Sequence, residues 1–101
     1  MGTFVVISRF RVANGISEEV RDTFISRPHL VDDASGFVGM EVLSPTGDPD
    51  EFWLLTRWDD EPSYRTWHSG HAYRESHKGI PSGLRLDPSR TQIMTFRSFA
   101  S

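Results

Sequence analysis

A chain of 101 residues is close to the commonest size of one domain and too short for two ordinary hydrophobic cores, so residues 1–101 are read as a single domain. The absence of cysteine excludes disulfides, thiolate metal sites and cysteine nucleophiles together, and eleven scattered basic residues against fourteen acidic ones, net charge -3, argue against nucleic acid as a partner. No apolar run approaches the roughly 18 residues a transmembrane helix needs, and MGTFVVISRFRV has neither a basic leader nor a small-residue cleavage site, so a soluble, cytoplasmic protein with no membrane partner is expected.

Taken in chain order, residues 3–12 alternate imperfectly, with Phe4, Val6, Ser8, Phe10 and Val12 on one face and Val5, Ile7, Arg9 and Arg11 on the other. This predicts a first strand whose apolar face is interrupted by Ser8. Asn14-Gly15 turns the chain, and Ser17 before Glu18 and Glu19 reads as a helix N-cap with acidic residues in the first turn. That helix is expected over 17–31, with Val20 and Phe24 inward and a kink or split at Pro28.

Ser35-Gly36 closes the next loop. Strands are expected at 37–44 and 51–58, joined as a hairpin through Pro45-Thr46-Gly47-Asp48-Pro49. Asp59 or Asp60 caps a second helix that has Pro62 in its first turn and carries Tyr64 and Trp67. Ser69-Gly70 interrupts it, so a separate helical piece is expected at 71–78, stopped by Gly79 and Pro81. After an irregular loop at 80–88, residues 90–99 read as the last strand.

The order βαββαβ is that of an α+β, ferredoxin-like fold, an antiparallel sheet with helices on one face. The strands carry apolar residues on both faces, so a second copy is expected to cover the open one, giving a homodimer with a barrel across it.

Chemistry is concentrated in few places. Three histidines, His68, His71 and His77, lie within ten residues of one another, while His29 stands apart. In a chain without cysteine, neutral imidazole is the natural ligand for iron or zinc. His68 and His71, at i and i+3, could share a helix face toward zinc, although Gly70 lies between them and no third ligand is indicated. On one unbroken helix Trp67 and His77 would lie about 15 Å apart along the axis and point about 80° apart. The break at Ser69-Gly70 lets the second piece bend back, so that both can flank one flat pocket. Ser8, a hydroxyl on an apolar strand face, needs a partner if buried: a backbone carbonyl or a bound ligand. Three Trp, seven Phe and two Tyr leave aromatics to spare for lining a small-molecule pocket. There is no Ser-His-Asp order, paired-carboxylate signature or phosphate-cradling glycine loop.

From Trp67 through His68, Ser69, Gly70, His71, Ala72, Tyr73, Arg74, Glu75 and Ser76 to His77, the chain resembles the antibiotic biosynthesis monooxygenase superfamily, particularly its Isd-type haem-degrading members. Ser35-Gly36-Phe37-Val38-Gly39-Met40 resembles that family's loop and second strand, and Leu54-Leu55-Thr56-Arg57-Trp58 its third. The resemblance implies a ferredoxin-like protomer pairing into a dimeric α+β barrel. It also implies a haem-degrading monooxygenase, with haem as both substrate and oxygen-activating cofactor, O2, and an external electron donor such as a reductase. Carried over by position, the iron-ligating histidine falls on His77 and the tryptophan of the cleft wall on Trp67. The family's asparagine falls on Ser8, a departure that keeps a hydrogen-bond donor on a shorter side chain. The same superfamily holds cofactor-independent oxygenases, which makes oxidation of a phenolic or quinol substrate, with His77 or His71 as proton acceptor, the alternative expectation. A non-catalytic dimeric small-molecule binding module is the third.

Overall fold

The structure, a computed structural model, describes residues 3–27, 30–70 and 83–100. Four strands form one antiparallel sheet: β1 (Thr3–Arg11), β2 (Phe37–Leu43), β3 (Glu51–Trp58) and β4 (Gln92–Ser98), in the order β2-β3-β1-β4. Helix α1 (Ser17–Ile25) connects β1 to the sheet's β2 side, and α2 (Glu61–His68) follows β3. Order and pairing are those of the ferredoxin-like α+β fold anticipated from the pattern.

Alternation along β1 carries through the whole sheet, because paired residues share a face. Phe4 pairs with Trp58, Val6 with Thr56, Ser8 with Leu54 and Phe10 with Phe52, and this face meets the helices. Val5, Ile7 and Arg9 pair with Arg57, Leu55 and Trp53 on the opposite face.

The helix-side core is in two parts. At one end Phe4, Val6, Val31, Trp58 and Tyr64 are buried together, Trp58 at 0% exposure. At the other, Val12, Val20 and Phe52 are buried, with Phe10, Phe24, Val42 and Leu54 packed against them. Ring contacts hold each part: Phe37 and Tyr64 stand edge-on to Trp58 at 5.4 and 5.8 Å, and Phe10 stacks on Phe52 at 5.5 Å.

Several boundaries differ from expectation, each for a local reason. The first helix ends at Ile25 rather than running to 31, and a separate 3-10 turn, Leu30–Asp33, follows. The Ser26 amide still donates to the Asp22 carbonyl, as its hydroxyl does at 2.8 Å, and the α pattern is lost at Arg27, whose amide bonds Phe24 instead at 3.3 Å. The Pro28 kink lies outside the described residues. Ser17 is not the N-cap: Ile16 holds that position without a side-chain cap bond. The Ser17 hydroxyl is buried and donates instead to Asp50 Oδ1 at 2.6 Å. Asp50 and Asp48 also take Arg11, at 3.6 and 3.2 Å, which ties the β2–β3 hairpin to the end of β1. That guanidinium bond holds the Asp48 carboxyl below the usual carboxylate range.

The α2 cap is Asp60, whose side chain accepts the Ser63 amide at 2.9 Å, with Pro62 in the first turn. The helix stops at His68, where Ser69 Oγ bonds the Arg65 carbonyl at 2.9 Å and the Gly70 amide bonds that of Trp67 at 3.0 Å. The interruption expected at Ser69-Gly70 is therefore present. The helical piece expected at 71–78, with its stop at Gly79 and Pro81, lies outside the described residues. β1 ends at Arg11, Val12 making only an isolated bridge to Leu86, and β4 starts at Gln92 because Arg90 belongs to a 3-10 turn, Pro88–Arg90, capped by Asp87.

Gly36 docks α2 onto the loop before β2. Its φ is +80°, and a Cβ there would overlap Ser63 Oγ and Cβ. Gly36→Ala combines backbone strain with overpacking and should cost about 2 to 4 kcal/mol. Urea unfolding should show this, and Ser63→Gly in the same chain should recover the overlap part but not the strain.

Candidate functional site

Along β1, Ser8 lies between the two core clusters: Val6 before it belongs to one and Phe10 after it packs on the other. It is half-buried, in register with Leu54 on β3 and Ile93 on β4. Among the described residues its hydroxyl has no hydrogen-bond partner, so the backbone-carbonyl option left open by the sequence is not the one taken. A neighbouring hydroxyl, Thr56 Oγ1, is engaged by Trp58 Nε1 at 3.0 Å.

Trp67 is on the last turn of α2, half-buried and packed against the cluster of Phe4, Val6, Val31, Trp58 and Tyr64. It is therefore a core contact at the end of α2. His68, one residue on, is exposed at the helix end with its ring 5.5 Å from that of Tyr64. His77, His71 and His29 lie outside the described residues. Of the three residues expected at the site, Ser8 and Trp67 thus come from β1 and α2 on one side of the sheet. Among the described residues no group of three His, Asp or Glu could hold a metal ion, which leaves the His68–His71 zinc arrangement without a third ligand there.

Between α1 and the β2–β3 hairpin is an open depression of about 440 Å³ lined by Arg21, Phe24, Ile25, Val42, Ser44 and Phe52. Val42 pairs with Leu54, which pairs with Ser8, so the depression and Ser8 share the same sheet face. Its one cation, Arg21, lies 5.7 Å over the Phe52 ring, and Ile25 in its lining is 74% exposed.

A second polar cluster, not singled out from the sequence, occupies the opposite face. Glu51 is buried, accepting Trp53 Nε1 at 2.7 Å and Arg90 Nη1 at 3.3 Å. The Trp53 bond, then Arg90 and Arg9, hold its carboxyl below the usual range against the opposing effect of burial. The signal was there in the strand period, which puts residues 51 and 53 on one face, but Arg9 joins them only through the β1–β3 register.

The family model described as antibiotic biosynthesis monooxygenase matches residues 3–79. Among curated proteins, a Heme oxygenase (mycobilin-producing) of Mycobacterium tuberculosis is 28% identical over 87 residues, which cover 86% of this chain and 78% of the relative. Among solved structures, the heme-degrader MhuD of Mycobacterium tuberculosis, with two hemes bound in its active site, superposes with a TM-score of 0.77 at 22% identity, covering 97% of each chain. SnoaB, a cofactor-independent oxygenase from Streptomyces nogalater, superposes with a TM-score of 0.70 at 14% identity, over 100% of this chain and 95% of that one. At these identities the two superpositions show the shared fold.

Proposed function

The chain belongs to the antibiotic biosynthesis monooxygenase family, and from that premise we propose that it is a haem-degrading monooxygenase acting as a cytoplasmic homodimer. The observation that carries the reading is the half-buried Ser8 hydroxyl, without a hydrogen-bond partner among the described residues, between two apolar clusters along β1, with Trp67 on the same side of the sheet. The 28% identical heme oxygenase supports haem as the substrate.

The residues fit such a substrate in kind. Trp67 offers a flat apolar surface to a macrocycle, and Arg21, on the same side of the sheet, is a cation suited to its carboxylates. Haem, when bound, supplies the iron that activates O2 and the ring that is oxidised, electrons coming from an external donor or reductase. His77 would hold the iron through a neutral imidazole, Trp67 would press on the ring and orient it, and Ser8 Oγ would offer a hydrogen bond from β1 toward the reacting side.

Haem-loaded protein given ascorbate and air, with catalase present to remove free peroxide, should lose its porphyrin absorption and release iron to a ferrous chelator. Intact haem under those conditions, together with oxygen uptake on a quinol, would favour the second reading, a cofactor-independent oxygenase. That reading draws on the hydroxyl at position 8, which is shorter than the family's asparagine.

Restoring the amide tests the role of this position. With Ser8 lining the cleft, Ser8→Asn should fold normally and should raise haem turnover by about two- to tenfold by holding oxygen more closely. A fall in melting temperature of several degrees with no gain in turnover would place Ser8 in tight packing instead.

The homodimer reading rests on the sheet face turned from the helices. Val5, Ile7, Leu55, Met94, Phe96 and Leu43 lie there, Phe96 and Leu43 at 46% and 44% exposure. A second copy stacked on this face closes the barrel, and light scattering at micromolar concentration should give twice the 11.5 kDa of one chain.

A further inference from the structure

On the helix side of the sheet, β1 is covered and its neighbour β4 is not. Phe4, Val6 and Ser8 pair in register with Arg97, Thr95 and Ile93, so the six side chains share one face. Phe4 and Val6 are buried and Ser8 is half-buried, whereas Ile93 is 57% exposed and Thr95 and Arg97 are exposed. β4 is an edge strand. Its helix side is therefore a ledge on which an aliphatic side chain, a hydroxyl and a guanidinium follow one another over about 13 Å. The Ser8 hydroxyl beside Ile93 can be reached from solvent, because Arg9 Nε alone, among the described residues, is a buried side-chain polar atom without a partner.

Arg21 and Arg97 both stand on this side of the sheet, and they differ in what already holds them. The Arg21 guanidinium lies 5.7 Å over Phe52, donates to the Pro49 carbonyl at 3.3 Å, and sits at the cluster of Val12, Val20 and Phe52. Arg97 makes no hydrogen bond or ion pair among the described residues. Its cross-strand partner Phe4 belongs to the other cluster, the one against which Trp67 packs. A flat molecule that lies on Trp67 and reaches Ser8 is thus at the Arg97 end of the sheet, away from Arg21.

We propose that Arg97 is a substrate-binding residue that pairs with the carboxylates on the rim of the macrocycle, with Ile93 and Thr95 along the ring. The proposal rests on the haem reading above and names the group that recognises the anionic edge. A guanidinium offers parallel N–H donors that match a carboxylate and fix its direction, so the pair sets which way the ring is turned over Ser8 as well as how tightly it is held.

Optical titration of the full chain with hemin and with hemin dimethyl ester, whose carboxylates are capped and uncharged, tests the pairing. The wild-type chain should bind hemin about three- to tenfold more tightly than the ester, Arg97→Gln should lose that preference by weakening hemin alone, and Arg97→Lys should keep part of it. Added salt should shrink the preference, as for any exposed ion pair. Arg97 is exposed at the sheet edge, outside both core clusters, so its replacement should leave the circular dichroism unchanged. Equal wild-type affinity for the two ligands would overturn the pairing without any variant. So would equal weakening of both ligands in Arg97→Gln, or loss of the preference in Arg21→Gln instead. In each of these results hemin still binds and the haem reading stands; a wild-type chain without a sharp hemin band would overturn that reading and the pairing with it.

Discussion

His77→Ala should abolish the haem-bound absorption band and reduce porphyrin breakdown to the level of free haem in solution, while far-ultraviolet circular dichroism stays unchanged. If His77 is the residue that would hold the iron, that one substitution removes the protein's ligand. The same change at His68 or His71 should leave ligation nearly untouched, which separates loss of a ligand from a general loss of basic or aromatic surface. The proton supplies an independent check. Ligation needs neutral imidazole, so affinity should be fully expressed above histidine's usual pKa of about 6.5 and fall by about tenfold per pH unit below it. If His77→Ala binds haem with an unaltered spectrum, His77 is not the ligand, and its place in the alternative reading, as proton acceptor toward a quinol, becomes the better one.

Trp58→Ala should have the largest effect on stability. Trp58 is fully buried, makes edge-on contacts with Phe37 and Tyr64, and donates its Nε1–H to Thr56 at 3.0 Å. Removing the indole empties the centre of one core cluster and should cost about 3 to 5 kcal/mol, of a total that for a domain of this size is about 5 to 15. The variant should unfold at much lower urea or not fold at all. Trp58→Phe keeps ring contacts and loses the hydrogen bond, and should fall between. A Trp58→Ala chain within about 1 kcal/mol of wild type would mean that the two-cluster description of the core is wrong.

Most of the fold was legible because it rests on short-range pattern. The period of two in β1, the turn-rich break from Pro45 to Pro49 and the Asp60 cap each act over a few residues, and the structure has them where the pattern put them. The departures arise where a distant group competes. Ser17 looked like a cap, but Asp50, thirty-three residues on, takes its hydroxyl. The helix after it stops at Ile25, its α pattern lost at Arg27, whereas the apolar spacing argued for continuing to 31.

The site was legible in kind more than in place. Ser8 stood out as a polar interruption on an apolar strand, but that it falls between two separate clusters depends on Val6 and Phe10 packing against different partners from β3 and the helices. The Arg9, Glu51 and Trp53 cluster was hidden for the same reason, since its members meet only through the β1–β3 register. His77 was reached through resemblance alone, and its role is carried by the proposal.

Haem as the substrate is tested most directly by optical titration of the purified full-length chain with hemin at neutral to slightly alkaline pH. The account predicts a sharp Soret band that rises linearly, saturates at a fixed ratio of haem to chain, and decays when reductant and air are supplied. Only the broad absorption of free or aggregated hemin, growing without a break as hemin is added, would contradict it.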